Sequence, residues 1–120
     1  ELTELRTLSL WGGNFGTDLT IVSKLVNLQN LFVNDEFVTS LSGIENLQRL
    51  EVFCMDGTNA TDISPLTKLP RLQVVRLQGV PIVEFAPLFS CHSLQEVEAD
   101  SSQKEKIEQL GDPVFMIFVE

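Results

Sequence analysis

Between Thr61 and Gly79 the apolar residues fall at Ile63, Leu66, Leu69, Leu72, Val75 and Leu77, a run of threes closed by a step of two. An α-helical face repeats at three, four and seven, and a half-buried strand at two, so neither element alone accommodates the run. The pattern predicts one coil of a solenoid: an irregular or 3₁₀-like ascending leg, then a short strand with Val75 and Leu77 pointing inward.

Related patterns recur along the chain. Leu2, Leu5, Leu8 and Leu10 form an incomplete first coil, followed by a glycine-bearing loop from Trp11 to Asp18. The second coil reads Leu19, Val22, Leu25, Leu28, Leu31, Val33, and the third Val38, Leu41, Ile44, Leu47, Leu50, Val52. The stretch from Thr61 is the fourth. A fifth reads Ile82, Phe85, Leu88, Cys91, Leu94, Val97, Ala99, and a sixth Ile107, Leu110, Pro113, Met116, Phe118. With Leu10, Val33, Val52, Leu77, Ala99 and Phe118 as closing residues, successive strands lie 23, 19, 25, 22 and 19 residues apart.

An LxxLxL core at such intervals is the signature of leucine-rich repeats. Over its whole length the chain resembles the leucine-rich-repeat family. It is most similar to the short repeats of bacterial internalins and of a protein phosphatase 1 regulatory subunit, through Asp62-Ile63-Ser64-Pro65-Leu66 and the looser Glu84-Phe85-Ala86-Pro87-Leu88. The resemblance implies an α/β solenoid of about six short parallel strands in one curved sheet, with irregular or 3₁₀ convex legs. A length of 120 residues suits one domain over residues 1–120, and the missing initiator Met and abrupt start predict a fragment of a longer or processed chain. The family's turn asparagine, three residues after the last strand leucine, has no counterpart. Gly13, Glu36, Met55, Val80 and Ser102 stand there, so the turns need other partners for their backbone groups.

In a strand of the form xLxLx the leucines face the core and the x residues face the opposite way. The resemblance makes that second face the concave, binding surface of a protein-interaction module. On this numbering it carries Trp11, Phe32 and Phe53 close to Arg49, and beside them an alternating row of Glu51, Arg76 and Glu98 backed by Glu96 and Asp100. Aromatic residues and arginine anchor protein interfaces. Trp11, Phe32, Phe53, Arg49, Glu51 and Arg76 are therefore the expected partner-binding set. The other reading is that single exposed aromatics are ordinary and that the charge row neutralises itself.

Charge narrows the partner class. A formal charge of −9 and a pI near 4.4 repel phosphate backbones and anionic lipid, which argues against nucleic acid and membrane as partners. Two cysteines, Cys54 and Cys91, are too few for a disulfide framework and read as buried free thiols. Asn59 opens an Asn-Ala-Thr sequon. Enzyme chemistry is not expected. The lone histidine, His92, follows a Cys91 that fills an inward position, and adjacency in sequence supplies neither reach nor an orienting group. The loop Gly12-Gly13-Asn14-Phe15-Gly16 lacks the lysine of a phosphate loop and suits positive-φ turns instead. No cofactor or metal is expected, the carboxylates Glu96, Glu98 and Asp100 reading as a solvated edge. Finally, Val114–Val119 is apolar on both faces. As an edge strand it would pair with further chain or with a second copy, unless a short helix over residues 103–110 shields it. A structural, self-associating role is the alternative to partner binding.

Overall fold

The computed structural model describes residues 2–119. Among them six strands form one parallel sheet in the order of the chain: β1 (Thr7–Trp11), β2 (Asn30–Asn34), β3 (Val52–Cys54), β4 (Val74–Arg76), β5 (Glu96–Ala99) and β6 (Met116–Val119). The connecting legs carry 3₁₀ turns at Thr20–Val22, Ile44–Asn46, Ser64–Lys68 and Ala86–Ser90. The molecule measures 44 × 26 × 21 Å, elongated as expected of stacked coils.

The strand register reveals a repeat more regular than the one read from the leucines. Leu31, Phe53, Val75 and Val97 are lateral partners at a constant spacing of 22 residues. The same translation carries Leu19 to Leu41, Ile63 and Phe85, and Leu28 to Leu50, Leu72 and Leu94, all of them in one continuous core. The third coil therefore closes on Phe53 and Met55, not on Leu50 and Val52. Val52 lies on the open face of the sheet beside Asn30 and Val74, which corrects the uneven intervals of 19 and 25. The sixth coil shifts as well. Ile117 pairs with Val97 and faces inward, whereas Met116 and Phe118 face out. Each fully buried leucine contributes roughly 1.5–3 kcal/mol relative to exposure, so stacking of these rows dominates stability.

Backbone polarity is satisfied between coils. The carbonyls of Arg6, Gln29, Glu51 and Gln73 each accept two N–H groups from the next coil, such as Gln73 and Val74 on Glu51. Where each leg begins, a side-chain oxygen takes the N–H two residues on: Asp18 from Thr20, Ser40 from Ser42, Asp62 from Ser64 and Glu84 from Ala86. Pro65 and Pro87 then occupy the first turn, where a missing N–H costs nothing.

The turns after the strands find substitutes for the absent asparagine. Asp35 and Asp100 accept the N–H groups of Asn14 and Gly79 from the coil before, and Asp56 accepts that of Gln78 from the coil after. Thr58, which the corrected register places where Met55 was expected, donates its hydroxyl to the Met55 carbonyl. In the fourth coil the substitute is distant. Helix α1 (Ser101–Glu108), held by a reciprocal cap between Asp100 and Gln103, sends the buried Gln103 amide to the carbonyls of Leu77 and Val80. Gly12 and Gly16 do adopt positive φ in the first loop.

Candidate functional site

Three rows of side chains cover the open face. The middle row runs Ser9, Phe32, Cys54, Arg76, Glu98 and Phe118 across β1 to β6. On one side lie Thr7, Asn30, Val52, Val74, Glu96 and Met116. On the other, Trp11 and Asn34 sit at the strand ends.

A hollow of about 320 Å³ opens where β1 to β4 end. Its walls are Trp11 and Phe32 on one side and Asp56 and Arg76 on the other, with Cys54 between them. Trp11 is 74% exposed and Phe32 half-buried, so aromatic surface faces solvent beside a cavity that a side chain could fill. Asn34 also lines a second, neighbouring hollow whose rim includes the exposed Phe37.

Arg76 is held between two carboxylates. Its Nη2 lies 3.4 Å from Asp56 Oδ2, and its Nε lies 3.3 Å from Glu98 Oε1. The Nε is shielded from solvent yet makes no aligned hydrogen bond, so the Glu98 contact is an ion pair without directional help. Asp56 also accepts the Gln78 N–H, which fixes the carboxylate in place.

Of the expected contact residues, Trp11, Phe32 and Arg76 meet around the hollow and three do not. Phe53 is 0% exposed: it points into the core beside Leu31 and Val75, because the third strand begins later than its leucines suggested. Glu51 precedes the strand and contributes its backbone carbonyl to the ladder, so the row beside Arg76 holds Cys54 and not Glu51. Arg49 lies three residues before β3, where its guanidinium donates to Asn27 Oδ1, away from Phe32. Cys54 and Asp56 were missed. A strict 22-residue translation would have found Asp56, since it stands at the position of Asn34 and Gln78.

The two thiols are free and buried. Burial pushes the Cys91 thiol up to about 11, and burial likewise raises that of Cys54. Cys91 donates to the Pro87 carbonyl while His92 is exposed, so the pair lacks the geometry of a nucleophile and its base. Glu98 is paired with Arg76 and Asp100 caps α1, which leaves Glu96 as the one carboxylate of that trio with no partner among the described residues. No group of three or more metal-ligating side chains comes together among the described residues, and no helix there is long and apolar enough to cross a membrane.

No family model matches the chain, and no curated protein does. Solved structures do. An internalin, inlF, from Listeria monocytogenes superposes with a TM-score of 0.56 at 22% identity, covering 70% of this chain and 32% of that one. A second internalin from the same organism, inlC2, gives 0.57 at 24% identity, covering 82% of this chain and 53% of the other. The chain thus spans about a third of one neighbour and about half of the other. Six parallel strands in register, with a 22-residue period from β2 to β5, 3₁₀ legs between them and these superpositions agree: in its fold the chain is a leucine-rich-repeat solenoid.

Proposed function

We propose that the chain is a non-catalytic binding module that holds a protein partner on the open face of its sheet, centred on Trp11, Phe32 and Arg76. The observation that carries this reading is the hollow itself, a cavity with an exposed tryptophan on its rim and an arginine fixed at its far wall. Aromatic anchors beside a desolvated pocket are the usual energetic centre of an interface. The net charge of −9 supports a protein rather than a polyanion as partner. The similarity to two internalin structures supports the scaffold.

Trp11→Ala and Phe32→Ala are expected to weaken capture of the partner by about tenfold or more each, the range of interface hot spots, in calorimetric titration. Unchanged affinity in both variants, with native circular dichroism, would remove the open face from consideration. A second reading draws on a different observation. Val114, Met116, Phe118 and Val119 are all exposed around the β6 edge, a surface suited to pairing with another strand. If self-association is the role, sedimentation will show a dimer at micromolar concentration that Phe118→Glu abolishes.

A further inference from the structure

The charges of the open face are not evenly placed. Among the described residues its three rows hold one cation, Arg76, and four carboxylates, Asp56, Glu96, Glu98 and Asp100. Arg76 is already shared between Asp56 and Glu98, so the surplus is negative and concentrates on β5. The aromatic wall of the hollow, Trp11 and Phe32, lies on β1 and β2, well away from that surplus.

We infer that the occupant of this face is an extended, basic segment of the partner protein in which an apolar side chain and a Lys or Arg stand about four residues apart. The inference rests on the binding reading above and adds its chemistry. The apolar side chain fills the hollow against Trp11 and Phe32. The cation lies over Glu96 and Glu98 and completes the charge pairing that Arg76 leaves unfinished. Phe32 and Glu98 share a row three strands apart, about 14 Å at roughly 4.8 Å per strand, which an extended chain at roughly 3.3 Å per residue crosses in about four residues. Residues four apart in an extended segment also face the same side, so both can reach the sheet. A cation only two residues from the anchor would instead meet the guanidinium of Arg76. Spacing is therefore selected by repulsion as well as by attraction.

Trp11 is the single tryptophan of a chain without tyrosine, so its fluorescence reports on the hollow directly. Nonapeptides on a Gly/Ser frame carry Phe and Arg at a spacing of two or four, with Phe and Gln at four as the uncharged control. The four-spaced Phe/Arg peptide is expected to shift Trp11 emission saturably and to bind about fivefold tighter than either other peptide. Raised salt, and Glu96→Gln, should erase that margin; this glutamate holds no ion pair whose loss could disturb the fold. If all three peptides bind alike and only Phe32→Ala weakens them, the basic chemistry is wrong and the binding face stands. If none of them perturbs Trp11 up to millimolar concentration, the hollow is not the anchor site and both readings fall.

Discussion

Met55, Leu77, Ala99 and Val119 occupy the same inward position of successive coils, yet the first three are fully buried and Val119 is 42% exposed. The residue types do not account for this, since valine is as apolar as alanine. What differs is the neighbour. A middle coil is covered on both sides, whereas β6 pairs with β5 alone among the described strands. Burial in a stacked fold is thus conferred by the next coil, and the energetic weight of a position depends on its place in the stack.

The sharpest test of that comparison uses phenylalanine at both places. Phe53→Ala, in the fully packed third coil, is expected to cost about 3–5 kcal/mol in urea unfolding, whereas Phe118→Ala, outward on β6, should cost under about 1 kcal/mol. Equal losses would show that the last coil is as tightly packed as the middle. Gly43→Ala comes next. At φ +107° an added Cβ would stand 2.7 Å from the Leu19 carbonyl carbon, a backbone atom of the preceding coil, and the expected loss is about 3 kcal/mol. Gln103→Ala should cost about 1 kcal/mol, since the Leu77 and Val80 carbonyls lose the amide donor but keep the N–H groups of Val80 and Ile82, and Gln103→Glu should not restore it, because a carboxylate has no proton to donate there.

Smaller effects follow from titration. The folded Cys91 thiol loses its proton near 11 and the unfolded one near 9, so the folded state favours the protonated form. Its contribution is complete below pH 9 and declines as pH rises toward 11, a slope that Cys91→Ser should flatten in thermal melts. Smallest is Asp62. The Ser64 N–H holds its carboxyl below 3.8, so its contribution is present above that pH and fades as pH falls below it. Asp62→Asn should therefore change melting only slightly, and only where the native carboxylate is charged.

The same difference between coils explains what the amino-acid order shows and what it hides. Thr7–Trp11 and Asn30–Asn34 alternate cleanly, so their outward Trp11 and Phe32 were legible. Val52-Phe53-Cys54-Met55 is apolar at four successive positions, and alternation cannot assign faces in such a run. The nearby Leu50 and Val52 offer the same closing step of two, so the register locks three residues early and turns Phe53 outward. Val114–Val119 hides its faces for the same reason, and there Phe118 was read as inward. The hollow needed the fold, because Trp11, Phe32, Cys54 and Arg76 come from four coils and meet only once the 22-residue register is applied.

The Gln103 amide bears on how the molecule opens. It leaves the fifth coil to serve a turn of the fourth, and the helix that carries it is itself pinned by the Asp100 cap. Loss of α1 therefore strips a hydrogen-bond donor from a coil that would otherwise remain whole. Opening of the fifth coil is felt in the fourth. If this link couples the two segments, the backbone amides of α1 and of the Leu77–Val80 turn will exchange at a common rate in deuterium.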